Sequence, residues 1–142
     1  NAVLFQDNIA TLKAVNAGEV DGGVIYHYYW FRDQAKAKEI SANTGLHYFR
    51  NQDPGAFVSL SGGGVLASSK KQDQAQQFLR FVTGKAGQQI LQNGTSFEYP
   101  VGSDVPANSA LVPLADLQAP KVDPSTLDAK KVSDLMTQAG LL

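Results

Sequence analysis

The sequence predicts an α/β fold, because stretches with helical periodicity alternate along the chain with short apolar, β-branched runs. Ile9, Leu12 and Val15 stand at helical spacing over residues 9–17, and residues 20–26 then form a run typical of a buried parallel strand. Farther along, "AQQFLRFV" places most of its apolar side chains on one face of a strongly amphipathic helix.

The remaining elements follow from the same patterns and from the turn residues between them. Asp7 or Asn8 can cap the first helix, and Gly18 can end it. Further helices are predicted at about 29–38, at "KAGQQILQN" before Gly94, at Leu111–Leu117 and at about 125–139. Further strands are predicted at Leu46–Arg50, Ala56–Leu60, Val65–Ala67 and "FEYP".

Composition excludes several classes of function. The 142 residues are 43% hydrophobic, enough for a sizeable core, and a net charge of -1 gives no electrostatic reason to expect a nucleic-acid or anionic-membrane partner. The chain has no cysteine, so disulfides, thiolate metal sites and cysteine nucleophiles are excluded. No apolar run is long enough to span a membrane, and a chain that opens on Asn1 is expected to be a processed or excised piece.

Sequence motifs of enzymes are absent. The "SGGG" at Ser61–Gly64 lacks the Gly-Lys-Ser/Thr of a Walker loop and is expected to be a tight backbone passage, and no serine stands in a G-x-S-x-G elbow. His27 and His47 are 20 positions apart and lack the short spacing of a helical zinc pair. The 13 acidic residues include no pair that the sequence alone brings together, so acid/base catalysis stays open at this point but cannot be assigned to any residues.

Two adjacent tyrosines, Tyr28 and Tyr29, stand where the first predicted strand ends and a helix begins. Ligands of open α/β sheets collect at the carboxyl ends of strands. A free phenol has a pKa near ~10, but a trivalent hard cation such as Fe(III) binds the phenolate directly. On the residues alone, aromatic packing and a metal site are both open for this pair. Asn8 leaves a similar choice, between capping its own helix and binding a small oxyanion.

Several stretches together resemble one known family. They are "AVNAGEVDGGVI" with the following "YYW", "DPGAFVSLSGGGVLASSKKQDQAQQFLRFVTGKAGQQIL", "FEYPV", and "PLADLQAPKVD" with "LMTQAGLL". Over essentially all 142 residues, the sequence is similar to the C-terminal half of the bacterial periplasmic ferric-iron-binding proteins, the transferrin-like receptors of iron ABC importers. The resemblance implies a two-lobed class II periplasmic binding protein of α/β architecture, with this half contributing to both lobes.

The resemblance also implies ligands. Tyr28 and Tyr29 are expected to give two phenolate oxygens to Fe(III), and Asn8 to hydrogen-bond a synergistic anion, which can be phosphate, carbonate or citrate. Tyr26 and His27 stand where relatives commonly have Asn, so Tyr26 is a further candidate for anion binding. The histidine and acidic ligands of the family come from its N-terminal half, so neither His27 nor any carboxylate here inherits those roles.

A layout and a function follow from the same resemblance. Residues 1–58, with the tyrosine motif, are expected in the C-terminal lobe, 59–109 in the N-terminal lobe, and 110–142 in a helical tail on the C-terminal lobe, with a hinge near "FVSLS". The expected function is periplasmic capture of Fe(III) and delivery to an inner-membrane ABC permease, without catalysis. The expected partners are this permease and the N-terminal half of the same protein. Two alternatives stay open: a receptor for another small solute, such as an oxyanion or polyamine, and a non-binding fragment that self-associates.

Overall fold

Six α-helices account for most of the regular structure in a computed structural model that describes residues 2–102 and 104–142. They are α1 (Asn8–Ala17), α2 (His27–Gln34), α3 (Gln72–Thr83), α4 (Lys85–Asn93), α5 (Leu114–Leu117) and α6 (Ala129–Gln138). Short 3₁₀ helices cover Pro54–Ala56 and Pro124–Thr126. α1 packs against α2, and α3 packs against α4.

The ends of α1 show how local chemistry sets the helix boundaries. The Asp7 carboxylate accepts a hydrogen bond from the Ala10 amide at 2.7 Å, so Asp7, and not Asn8, caps this helix. Gly18 ends it with a φ of 74°, in the left-handed region that glycine adopts without steric cost. The predictions of α1, α3 and α4 are confirmed because periodicity and end residues agree there.

Three other helices differ from prediction in their bounds. α2 begins at His27 and ends at Gln34, whereas a helix at about 29–38 was predicted. α5 covers only the C-terminal part of the predicted Leu111–Leu117. α6 begins at Ala129 because a separate 3₁₀ turn, capped by the Asp123 carboxylate, occupies the start of the predicted range.

None of the predicted strands forms within residues 2–102 and 104–142. In those ranges, residues 20–25, 46–49 and 58–65 make no backbone-to-backbone hydrogen bond, and a strand exists only through pairing with a neighbour. Val24, in the first predicted strand, is 92% exposed where burial was expected. The strand predictions are therefore wrong for this chain by itself, because no neighbouring strand is present to pair with these segments.

Few large apolar side chains are buried by the helices. The buried apolar residues of the described ranges are Leu12, Ala14, Ala56, Val105, Leu111 and Leu117. The accessible surface is 10606 Å², whereas a compact monomer of 15.2 kDa exposes about 7,100 Å². The excess means that much apolar surface has nothing packed against it, as on α3, where Phe78 is 63% exposed.

Polar side chains tie α2 to the turn that follows it. Ser41 is fully buried; its hydroxyl donates to the Asp33 carboxylate at 2.5 Å and accepts from Gln34 Nε2 at 2.9 Å. Trp30 Nε1 donates to Thr44 Oγ1 at 3.0 Å. Because buried polar groups are stable only when they are hydrogen-bonded, these contacts fix the middle and the C-terminal end of α2.

Gln88 in α4 is a second buried polar residue, and its side chain anchors the segment at Val101. Its Oε1 accepts a hydrogen bond from the Val101 amide at 2.6 Å, and its Nε2 donates to the Val82 carbonyl at 2.7 Å. The side chain therefore connects the end of α3 to the residues that follow "FEYP".

Replacing Gln88 with Ala is expected to lower the free energy of unfolding by about 2 kcal/mol, because the Val101 amide and the Val82 carbonyl lose their partners. Gln89→Ala, at the exposed neighbouring position, is the matched control and should change stability by less than ~0.5 kcal/mol. Urea denaturation measures both variants. Equal losses in the two would contradict the anchoring role of Gln88.

Candidate metal-binding site

The tyrosine pair lies in the first turn of α2. Tyr26 precedes the helix in an extended conformation, with φ of -73° and ψ of 135°, and its carbonyl accepts a hydrogen bond from the Tyr29 amide at 3.2 Å. The backbone thus changes from extended to helical between Tyr26 and His27, one residue before Tyr28. This is the junction at which two adjacent side chains can turn toward a common point.

Three phenol rings lie side by side at this junction. The ring centroids of Tyr28 and Tyr29 are 4.7 Å apart, with the planes tilted by 34°. Tyr26 stacks on the other side of Tyr28 at 5.5 Å, with the planes within 6° of parallel. Tyr28 and Tyr29 are half-buried, whereas Tyr26 is 51% exposed. The arrangement brings together the three tyrosines that the sequence singled out.

The electrostatic surroundings keep Tyr28 protonated in the absence of a cation. Burial raises the pKa of Tyr28, the neighbouring Tyr29 phenol adds to the rise, and the negative charge of Glu98 acts in the same direction. Tyr28 is therefore a neutral phenol at neutral pH. A bound trivalent cation reverses this balance, because it stabilises the phenolate far more strongly than it does the phenol.

Asn8 connects the starts of α1 and α2. It is the first residue of α1, and its Oδ1 accepts a hydrogen bond from the Tyr26 amide at 3.0 Å. Neither role weighed from the sequence, capping its own helix or contacting an anion, describes this bond. Asn8 holds the residue that leads into α2, and its side-chain NH₂ group remains as a hydrogen-bond donor.

His27 belongs to an aromatic cluster next to the tyrosine pair. Its Nε2 lies 2.8 Å from the Phe97 carbonyl oxygen, to which it donates, and its ring packs against Phe31, Tyr48 and Tyr99. Burial lowers the pKa of His27, while the hydrogen bond to Phe97 opposes this shift. The imidazole is therefore a neutral hydrogen-bond donor in this cluster.

The other titratable candidates do not form a metal site of their own. His47 is exposed and packs edge-on against Phe49 at 5.4 Å. In the part of the chain that the structure describes, no group of three or more His, Asp or Glu side chains is placed to hold a metal ion. The oxygen donors that the fold does bring together are the phenols.

An open cavity of about 1640 Å³ adjoins Tyr26 and Tyr28, whereas Tyr29 does not line it. Tyr26, His27, Tyr28, Glu98 and Tyr99 lie on its wall. Much of the remaining wall is apolar and includes Leu60, Phe78, Leu79, Val82, Ile90 and Leu91. The volume far exceeds the space that a metal ion and a small anion need, so the tyrosine motif takes up only part of this concave face.

Glu98 is the residue at this site that sequence reasoning did not single out. It is half-buried, lies on the cavity wall with Tyr28, and its charge acts on both Tyr28 and His27. In the sequence, Glu98 is separated from Tyr28 by 70 positions. No local pattern connects the two residues; the only signal was its position in "FEYP", one of the stretches that resemble the iron-binding family.

Residues 1–94 match the family described as bacterial extracellular solute-binding protein, and the chain belongs to that family. Among its relatives are ferric-iron-binding proteins. The chain is 60% identical over 142 residues to the Fe(3+)-binding periplasmic protein of Serratia marcescens, covering 100% of this chain and 42% of that protein. It is 36% identical over 138 residues to the major ferric iron-binding protein of Neisseria meningitidis serogroup B, covering 96% of this chain and 41% of that protein.

A solved structure with a similar fold is that of iron-bound HitA from Pseudomonas aeruginosa, with a TM-score of 0.83 and 42% sequence identity. The match covers 96% of this chain and 44% of HitA. The likeness confirms the predicted periplasmic-binding-protein fold and the resemblance to ferric-iron-binding proteins. The chain spans about 42% of the length of the first of these curated relatives. Within residues 2–102 and 104–142, no helix is both long and apolar enough to cross a membrane.

Proposed function

We propose that these residues are part of a periplasmic Fe(III) receptor, in which the Tyr28 and Tyr29 phenolates bind the ion together with a synergistic anion. The observation that carries the proposal is the pair of adjacent phenol rings, 4.7 Å apart in the first turn of α2, on a chain similar to named ferric-iron-binding proteins. The receptor would release the ion to an ABC permease of the inner membrane and would catalyse no reaction.

Charge balance supports phenolate ligands for this cargo. Two phenolates cancel two of the three positive charges of Fe(III), and a carboxylate or an anion can cancel the third. Phenolate oxygens are hard donors, which suit a small, highly charged cation better than they suit a soft divalent one. We expect the remaining donors to come from the rest of the protein, which is more than half of its length in the relatives.

Asn8 and Tyr26 are the proposed anion-binding residues. Because Asn8 Oδ1 accepts from the Tyr26 amide, the Asn8 NH₂ group is the donor that an anion would meet. The exposed Tyr26 phenol, stacked on Tyr28, supplies a second donor, a hydroxyl group, beside the tyrosine pair. Phosphate, carbonate and citrate all carry oxygen atoms that accept such hydrogen bonds.

The predicted layout also stays a proposal: residues 1–58 and 110–142 in the C-terminal lobe and 59–109 in the N-terminal lobe, with a hinge near "FVSLS". Its support is that α1 packs with α2, while α3 and α4 pack with each other. The uncovered apolar wall of the cavity is where the remainder of the protein would pack.

An iron titration of the complete protein tests the function. Addition of a ferric chelate is expected to produce a visible phenolate-to-iron absorption that saturates at one ion per protein. Each phenol that binds as a phenolate gives up one proton, so the two tyrosines should make the affinity fall by about 100-fold for each unit decrease in pH. Saturable iron binding without the visible absorption would exclude the phenolate ligands.

Two other functions make different predictions. A receptor for an oxyanion or a polyamine would purify without iron and would bind its solute with no visible absorption. Self-association is favoured only for the isolated 142 residues, because they expose a large apolar face. Metal analysis of the purified complete protein distinguishes a receptor for another solute from an iron receptor. Sedimentation of the isolated chain tests self-association.

A further inference from the structure

His27 stands between the tyrosine pair and a distant part of the chain. It is the first residue of α2 and directly precedes Tyr28. Its Nε2 donates to the carbonyl oxygen of Phe97 at 2.8 Å, across 70 positions of sequence. Phe97 has a φ of 56°, a left-handed conformation that is costly for a residue with a side chain.

Packing restricts the imidazole to this hydrogen bond. The His27 ring centroid lies 5.3 Å from that of Tyr99 and 6.2 Å from that of Phe31. Phe31, one turn farther along α2, stacks on the Phe97 ring at 5.6 Å, with the planes 24° apart. α2 and the segment around Phe97 are therefore joined by ring packing as well as by the hydrogen bond.

The segment around Phe97 has anchors of its own. The Tyr99 hydroxyl donates to the Val112 carbonyl at 2.5 Å, and the Val101 amide donates to the buried Gln88 side chain at 2.6 Å. His27 therefore connects α2 to a part of the chain that is fixed independently of α2.

The start of α2 depends on this connection. Tyr26, at the cap position, makes no side-chain capping hydrogen bond to the helix. The polar contacts of Ser41 hold the opposite end of α2 and do not reach the first turn. The turn that carries Tyr28 and Tyr29 is thus held before the pair by Asn8, through the Tyr26 amide, and by His27, and after it by the hydrogen bond of Trp30 to Thr44.

We propose that His27 is a positioning residue for the tyrosine pair, and that its hydrogen bond to the Phe97 carbonyl holds the first turn of α2 so that both phenols reach the same ion. The proposal rests on the proposed function, because Tyr28 and Tyr29 are the ligands that it concerns. His27 itself does not bind the ion. Groups that hold metal ligands in place typically contribute about 10-fold to 100-fold in metal affinity.

Three variants of the complete protein test the role of His27. His27→Phe keeps an aromatic ring but removes the N–H donor, and it is expected to weaken Fe(III) affinity by about 10-fold to 100-fold and to shift the phenolate-to-iron absorption. His27→Gln places an N–H donor at a similar reach and is expected to recover most of the affinity and the original absorption. His47→Phe, at the exposed histidine outside the cluster, is the matched control and should change neither. Competition with a ferric chelator measures the affinities.

A measurement on the unsubstituted protein without iron does not depend on whether the variants fold. Nitrogen NMR of the iron-free protein is expected to show the His27 proton on Nε2, protected from rapid exchange with water. The proposal is overturned if that nitrogen is unprotonated, if His27→Phe matches the unsubstituted protein in affinity and absorption, or if a folded His27→Gln variant is as weak as His27→Phe. Tyr28→Phe separates the two proposals: if its absorption is unchanged, the proposed function fails, and if it alone loses iron while His27→Phe does not, only the role of His27 fails.

Discussion

Replacement of Tyr28 and Tyr29 by Phe in the complete protein is expected to abolish Fe(III) binding and the visible absorption that accompanies it. Each substitution removes one phenol oxygen and keeps the ring, so the stacking with Tyr26 is retained. Loss of a group that only supports a metal ligand costs about 10-fold to 100-fold in affinity, and the loss of a ligand oxygen should cost more. Each single variant is therefore expected to lose more than ~100-fold, and the double variant to show no saturable binding.

The comparison with Tyr48→Phe distinguishes a metal site from aromatic packing. Tyr48 is also a half-buried tyrosine, and burial, followed by the nearby Tyr99 phenol, raises its pKa, so it is a neutral phenol outside the tyrosine pair. Removal of its hydroxyl should leave the absorption and the iron affinity unchanged. Chelator competition and visible spectroscopy measure all variants, and circular dichroism verifies their folding. If the tyrosine variants keep the absorption, or if Tyr48→Phe loses it equally, Tyr28 and Tyr29 are not the ligands.

The features that sequence predicted well are local ones. α3 and α4 follow from their apolar periodicity and from Gly84 and Gly94, which directly follow their last residues. Both signals lie within the helix or next to it in sequence. The position of Tyr28 and Tyr29 at a change from extended to helical backbone is also local, because the apolar run before it and the helix-forming residues after it are adjacent in sequence. The sequence thus located the candidate site without any knowledge of the tertiary contacts.

The features that sequence did not predict depend on distant partners. The contacts of His27 with Phe97 and of Asn8 with Tyr26 join residues that no periodicity relates. The predicted strands failed for a similar reason: an apolar run can reveal its preference for pairing, but the pair itself requires a neighbouring strand. In this chain such pairing does not form, so residues 58–60 of the predicted strand Ala56–Leu60 stay unpaired and exposed.

The apolar face of α3 leads to the second large effect. Phe78 is 63% exposed in this chain, and Ile90, which also lies on the cavity wall, is 65% exposed. A helix face that exposes such large apolar side chains is unusual for a folded monomer. Because the chain covers only 42% of the length of its relative from Serratia marcescens, we expect the rest of the protein to pack on this face.

Phe78→Ala in the complete protein is therefore expected to lower the free energy of unfolding by about 3 kcal/mol or more, the usual cost of truncating a buried phenylalanine. If Phe78 stayed exposed in the complete protein, the same substitution would cost less than ~0.5 kcal/mol. Gln77→Ala, on the opposite face of α3, is the matched control and should be nearly neutral. Urea denaturation followed by fluorescence measures both. A small effect at Phe78, equal to that at Gln77, would show that the remainder of the protein does not pack on α3, and it would count against placing residues 59–109 in the N-terminal lobe.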